Sequence, residues 1–365
     1  MLYINFKASM NLNICKICAY FMHKIINYAK YAKNMKILYI FMHNCLLYFC
    51  DVAIICKQYE KRKIFRIYDM KKSVKTIIVL AVVATIITAC FALVACNDKD
   101  INLVAVNAAD LIKEDFGIAV TKGNTALMDA INQVVDDWTA NGKISQYTEY
   151  YSALADEENG GEKAVAPEGL QTSWDFKGAT QTIAVYTESG FAPYEFVYGG
   201  NVVGIDIAIM SQVAVNTGKK IEVKDVAFDV IATNVSTATG DAVGAAGMSI
   251  TDERKEVVDF SHVYAYSTLV VVSKDGQYKS VKDLAGKKVG VQEGTSGDII
   301  ISEAIGGGYT YEIVNGNEAA TTVVVKAEGA EVKQYKAYAL ALQDLKNGRI
   351  DAILMDNIPA ELMLK

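Results

Sequence analysis

Along this 365-residue chain the spacing of apolar positions changes repeatedly, and the changes divide it into elements. From Asn124 to about Ala140, Leu127, Ile131, Val134, Val135 and Trp138 recur at intervals of three and four, the spacing of one helix face. Asn141 and Gly142 end that pattern. Helical spacing returns in "VGIDIAIMSQVAVNTG", which ends at Gly218, and in "AYALALQDLKNG", which ends at Gly348. "INLVAV", "FGIAV", "QTIAVY", "KIEVKDV", "AVGAAGMSI", "STLVVVSK", "KKVGVQEG" and "IDAILMD" have the length and composition of strands, and "SVKDLAG" reads as a short helix. Strands alternating with helices predict an α/β fold of open, largely parallel sheets covered on both faces, with ligands at the carboxyl ends of strands.

Two regions break the alternation. Residues 153–180 lose all periodicity and are rich in Gly and Glu, so they read as a linker. At the front, "MKKSVKTIIVLAVVATIITACFALVAC", Met70 to Cys96, has a lysine-rich start, a long apolar run and small residues before a cysteine, the layout of a secretory signal. Its ending "LVAC" resembles a bacterial lipobox, which implies lipidation at Cys96; the alternative is an ordinary membrane anchor, and both place the chain beyond Cys96 outside the cell. Residues 1–69 contain no Gly or Pro and have eleven basic residues against three acidic ones, which is not a globular composition. They read as an upstream extension ahead of a true start at Met70, the alternative being a membrane segment around Ile37 to Cys56.

Charge and cysteine usage narrow the chemistry. All seven cysteines lie at or before Cys96, including the Cys15/Cys18 pair, which falls in the leader and is discounted as a metal or redox site. Beyond Cys96 there is one histidine, His262, and 22 basic residues face 39 acidic ones. Disulfides, thiolate catalysis and histidine-based metal sites are excluded there, and the acidity argues against nucleic acid as a partner. No phosphate-binding glycine loop, nucleophile elbow or zinc-protease helix motif occurs.

One stretch poses a local question. In "GMSITDERKEVVDFS", Gly247 to Ser261, Thr251 suits a helix N-cap and Asp252 and Glu253 suit the positive end of the dipole, whereas Arg254 opposes it. An anion nearby would resolve the conflict. Four segments in order, "GFAPYEFVYGGNVVGIDIAIMSQVA", "AAGMSITDERKEVVDFSHVY", "DLAGKKVGVQEGTSGD" and "ALQDLKNGRIDAILMDNIPAE", resemble the extracellular solute-binding proteins of polar amino-acid ABC transporters. The resemblance covers about 185 residues from Thr182 onward and implies a two-lobed, periplasmic-binding-protein-like (type II) fold with a hinge between the lobes.

In that family the chain continues past "PAE", returns to the first lobe through something like "FGIAVKKGN" and closes with a helix. Here the corresponding residues, including "FGIAVTKGN", stand directly behind the signal-like segment. Circular permutation accounts for this order, and a truncated tandem is the alternative. On the permuted reading, 97–114 belong to lobe 2 and the hinge, 115–152 to lobe 1, 153–180 to the linker, 181–273 to lobe 1 and 274–365 to lobe 2.

The resemblance also assigns residues. It implies that Arg254 grips a ligand α-carboxylate, for which a planar guanidinium is suited, with Ser249 donating and the Gly247 backbone close by. Thr295 and Ser296, in "GTSG", would hold the same carboxylate from the other lobe, and Asp356 would take the α-ammonium. Phe191, Tyr194 and Phe228 match wall positions, and Glu188 matches a reader of the ligand side chain that favours a cation or amide. For each, a plainer reading stays open: a surface arginine paired with Asp252 or Glu256, a turn, a helix-capping aspartate, a core ring. The implied function is a lipid-anchored, monomeric receptor on the extracellular face of a bacterial membrane, delivering a free amino acid to an ABC permease and its ATPase. It implies no cofactor, metal or catalytic residue; the alternatives are a cyclohexadienyl-dehydratase-like lyase and an extracellular amino-acid sensor module.

Overall fold

Two five-stranded sheets, joined by a pair of short crossing strands, organise the computed structural model, which describes residues 102–111, 113–313 and 321–365. Residues Asp98–Lys365 group as one unit. The chain opens with β1 (Leu103–Asn107), β2 (Glu114–Phe116) and β3 (Ala119–Thr121), then α1 (Thr125–Ala140) and α2 (Lys143–Glu158). Next come β4 (Thr182–Thr187), a small sheet of β5 (Gly190–Phe191), β6 (Glu195–Tyr198) and β7 (Asn201–Val203), helix α3 (Ile205–Asn216), β8 (Lys220–Asp225), α4 (Ile231–Thr237) and β9 (Ala242–Gly244). Helix α5 (Asp252–Lys255), β10 (Val258–Phe260), β11 (Ala265–Ser267), β12 (Leu269–Lys274), β13 (Lys288–Gln292) and α6 (Ser296–Gly306) come after them. An antiparallel pair, β14 (Tyr309–Ile313) and β15 (Thr321–Val325), precedes β16 (Glu331–Tyr335), α7 (Tyr338–Lys346), β17 (Ala352–Asp356) and α8 (Asn357–Met363).

The first lobe's sheet has the order β10-β3-β9-β4-β8, and the second lobe's β1-β12-β17-β13-β16. Both are mixed rather than largely parallel: β8 and β9 run parallel to β4, and β16 and β17 parallel to β13, whereas β1, β3, β10 and β12 pair antiparallel. A parallel neighbour needs a long crossover, normally helical, and the strands that flank the hinge have none. The hinge is the antiparallel pair β2 and β11, with Glu114 opposite Ser267 and Phe116 opposite Ala265.

Sequence patterns locate most elements. The predicted face of α1 is the buried one, and the Asn124 side chain caps its first turn by accepting from the Leu127 N–H at 3.2 Å. β12 is buried along Leu269 to Ser273, which is why it reads as a continuous apolar run. Helix α3 is buried on nearly every side, packed against its sheet and α1, so its amphipathic period is weak.

Three predicted boundaries change. β12 pairs with β1 and β17, so the second lobe's sheet begins at Leu269, inside the 181–273 segment assigned to lobe 1. The stretch assigned as linker from 153 is helical through Glu158, where Tyr147, Tyr151, Leu154 and Ala155 keep a buried stripe going; irregular chain begins at Gly161. "AVGAAGMSI" is a strand only as far as Gly244, and its remainder turns away to form a loop beside the hinge. Met1 to Ile101, with the signal-like segment and Cys96, lie outside the described residues. Among the described residues no helix is long and apolar enough to cross a membrane.

Chain from in front of residue 140 therefore completes both sheets and, with α1, covers the first. Ile131→Ala removes a fully buried side chain from α1, and a cost of about 2–5 kcal/mol is expected in a single cooperative urea transition monitored by far-UV circular dichroism. If α1 were an independent appendage, the main transition would stay where it is.

Candidate functional site

Arg254 occupies the first turn of α5, where Thr251 caps the helix by accepting from the Arg254 N–H at 3.3 Å. The four-residue helix presents its guanidinium to the cleft between the lobes, and the side chain is buried. Nη1 donates to the Ser249 carbonyl at 2.7 Å, Nη2 donates across the cleft to the Gly294 carbonyl at 3.0 Å, and the group sits 5.2 Å above the Phe228 ring. A guanidinium has five N–H donors, so these two bonds leave others for an anion. The question raised by Arg254 in a first turn has a structural answer: its charge is spent in the cleft and not on the helix dipole.

Glu188, Phe191, Phe228, Ala246, Gly247 and Ser249 line the cleft from the first lobe. Gln292, Thr295, Ser296 and Asp356 line it from the second. The space among them is about 10 Å³, on the order of one water, so the lobes lie closed on each other. Gln292 Nε2 donates across the cleft to Glu188 Oε2 at 3.0 Å, and at the rim Lys336 pairs with Asp229 at 3.1 Å. The rim pair is half exposed and contributes little.

The loop between β9 and α5 depends on one glycine. Gly247 has φ +53°, and a Cβ there would lie 2.6 Å from Cε1 of Phe191, so the residue must be Gly for the ring to wall the cleft. Its N–H donates to buried Asp206 Oδ2 at 3.0 Å. Phe191 stacks on Tyr194 at 5.6 Å and on Tyr338 at 6.4 Å. Tyr194 does not line the cleft: it is packed behind Phe191, against Phe116 and Tyr264, as a core ring supporting the wall.

Two expected donors are already engaged. The Thr295 hydroxyl caps α6, donating to the Gln292 carbonyl at 2.8 Å and accepting from the Asp298 N–H at 3.3 Å. The Gly247 N–H is held by Asp206. Asp356 stands at the N-cap position of α8 but makes no side-chain cap; its Oδ1 instead accepts from the Ser267 hydroxyl of β11 at 2.5 Å. That removes the plainer helix-capping reading of its carboxyl.

Glu114 was missed in the sequence. Its carboxyl is on β2, and its Oε2 is buried with no hydrogen-bond partner. Burial pushes its pKa up, while Ser296, Arg254 and Ser249 pull it down. Asp356 is also pushed up, by burial first and then by the Glu114 charge, and Glu188 by burial and Asp225. Burial draws the Arg254 pKa down while Glu114 and Asp356 hold it up. One signal for Glu114 was present: in "EDFGIAV" it lies two residues from Phe116, so both side chains share the strand face that turns out to be buried.

A larger groove of about 530 Å³ opens on the first lobe between Asn124, Met128, Ile250 and Phe260. Its charged groups are partnered locally, Lys255 by Asp252 and Asp259 by the Gly123 N–H, so nothing there waits for a ligand.

A family model for bacterial extracellular solute-binding proteins, family 3, matches residues 183–355. The arginine-binding extracellular protein ArtP of Bacillus subtilis is 33% identical over 176 residues, 48% of this chain and 61% of its own length. An ABC transporter arginine-binding protein of Escherichia coli is 31% identical over 188 residues, 51% of this chain and 68% of its own. Among solved structures, an ancestral arginine-binding protein bound to arginine is similar at 34% identity over 50% of this chain and 73% of that one, with a TM-score of 0.43.

Asp206 is fully buried, and burial lifts its pKa to about 7, against the Gly247 N–H and Tyr264 hydroxyl that pull it down. The folded state therefore holds a proton that the unfolded chain releases near pH 4, and Asp206 contributes stability that is full below pH 4 and lost as pH rises towards 7. Asp206→Asn should flatten the fall in stability between pH 4 and 7 by about 1.4 kcal/mol per pH unit. Urea midpoints taken across that window test this, and an unchanged slope would contradict it.

Proposed function

Because the chain belongs to the bacterial extracellular solute-binding proteins of family 3, we propose that its cleft captures a free amino acid between the two lobes and delivers it to an ABC permease driven by an ATPase. One observation carries the reading: Arg254 and Ser249 from the first lobe, and Ser296 and Asp356 from the second, converge on a single closed cleft. The α-carboxylate is held by Arg254, Ser249 and Ser296, and the α-ammonium by Asp356. Thr295 acts through the cap that fixes α6, and Gly247 through the shape of its loop. The side chain lies along Phe191 and Phe228 towards Glu188, whose carboxylate favours a cation or an amide; arginine is the first ligand to try.

Each lobe carries only part of this set, so an amino acid interacts better with the closed state than with the open one and shifts the hinge equilibrium. The β2–β11 pair is the element that flexes. We propose further that the protein is a monomer, secreted and anchored through Cys96 to the extracellular face of the membrane, and that its chain order is a circular permutation. Support for the last point lies in the pairing of β1 with β12 and of β3 with β9 and β10, which lets early chain complete both sheets.

A second reading has its own observation. A buried carboxyl pushed towards its protonated form, as burial does for Asp356, also suits general acid catalysis on a carboxylate substrate, the lyase reading. Turnover of prephenate that disappears in Asp356→Asn would favour it over binding alone.

Arg254→Ala should weaken arginine binding by about 30-fold or more, as expected when one partner of a buried charge pair is removed, with the fold retained by circular dichroism. Glu188→Gln should shift preference from cationic towards neutral amide side chains. Calorimetric titration measures both; wild-type affinity in the first variant removes the site assignment, and an unchanged preference in the second removes the role of Glu188.

A further inference from the structure

The loop that leads from β13 into α6 touches the first lobe at Gly294. That residue has φ +78°, in the left-handed region, and a Cβ added to it would lie 3.0 Å from the Cα and 3.1 Å from the Cβ of Asp229 on the first lobe. Non-bonded carbons settle at about 3.5–4.0 Å, so a methyl group there would need the lobes to part by about half an ångström or more. Both sides of this contact are held in place. The Gly294 N–H donates to Asp298 Oδ2 at 3.0 Å, the same oxygen accepts from Gln334 Nε2 at 2.7 Å, and Thr295 caps α6 directly afterwards. Asp229 lies in a single 3₁₀ turn, Phe228–Val230, whose Phe228 ring faces the Arg254 guanidinium. Its carboxylate accepts from Lys336 Nζ at 3.1 Å, and Lys336 also pairs with Glu293 at 2.7 Å, which sets the turn in register with the loop. The Gly294 carbonyl in turn accepts from Arg254 Nη2 at 3.0 Å.

We propose that Gly294 is a positioning residue for closure: its missing side chain is the clearance that lets the Phe228–Val230 turn seat against the second lobe, and this completes the ligand site from a position that does not line the cleft. The inference rests on the amino-acid reading of the cleft and adds to it a determinant of affinity outside the ligand's contacts. Ser296 stands two residues beyond Gly294, and Arg254 is hydrogen-bonded to its carbonyl. Lobes propped apart at Gly294 therefore separate the two groups that hold the α-carboxylate from opposite sides. Backbone strain from a left-handed φ belongs to the open and closed states alike, whereas the contact with Asp229 exists only on closure. A side chain at 294 thus penalises the closed state alone, and the affinity a ligand displays falls with the fraction of molecules able to close.

Gly294→Ala separates clearance from strain when it is compared with Gly286→Ala, a change at φ +67° in the same lobe with nothing within 4 Å of the added Cβ. Calorimetric titration of the full chain with L-arginine should show binding weakened by about tenfold or more in Gly294→Ala, as expected when a hydrogen bond to a charged group is pulled apart, and wild-type affinity in Gly286→Ala. Asp229→Gly, which removes the facing Cβ, supplies a second comparison: in that background Gly294→Ala should cost less affinity than in the wild type, whereas strain alone costs the same in both. Wild-type affinity in Gly294→Ala, an equal loss in Gly286→Ala, or equal costs in the two backgrounds would each overturn the closure role while the amino-acid reading stands. So would loss of a cooperative thermal melt in Gly294→Ala alone, which would make Gly294 a folding residue. If the wild type melts cooperatively and no common amino acid binds it, the amino-acid reading itself fails and the inference falls with it.

Discussion

A guanidinium buried between two lobes has to be paired from both sides, and much of this structure stems from that requirement. Arg254 donates to a carbonyl of its own lobe and to one of the other and lies over an aromatic ring, and the Glu114 and Asp356 charges hold its pKa up against burial. Leaving such a charge unpaired costs several kcal/mol, so the closed cleft and the charge within it are coupled. The neighbouring elements serve this arrangement. Gly247 opens space for the Phe191 ring, Asp206 holds the Gly247 loop, and Thr295 fixes the start of α6 beside Gly294.

The hinge has a second role beyond flexing. β11 carries Ser267, whose hydroxyl donates to Asp356, a residue that lines the cleft. A change in hinge conformation therefore moves groups that touch the site.

Much of this was legible in the residues. The buried face of α1, the continuous apolar β12 and the N-cap at Thr251 can be read from spacing and composition alone. Arg254, Ser249, Ser296, Asp356, Phe191, Phe228 and Glu188 all reach the same cleft, although they come from segments up to 168 positions apart. The features that were not legible depend on tertiary pairing. The mixed direction of the sheets comes from strands flanking the hinge, which local pattern cannot orient. The continuation of α2 through Glu158 was hidden because its polar residues outnumber the buried stripe of Tyr147, Tyr151, Leu154 and Ala155. Tyr194 and Phe191 look alike in sequence, and only packing decides that Phe191 walls the cleft and Tyr194 supports it. Glu114 is an acid in a three-residue strand, and the groups that pull its pKa down, Ser296 and Arg254 among them, belong to elements far along the chain.

The account turns on one claim, that this cleft is built for a free amino acid. Thermal unfolding of the protein against each common amino acid tests it most directly. Ligand at 100 times its dissociation constant should add about 2.7 kcal/mol, a rise of several degrees in Tm for a protein of this size. The account predicts such a rise for arginine or another cationic or amide amino acid, and none for the same compounds in Arg254→Ala. A cooperative melt that no amino acid moves would contradict it.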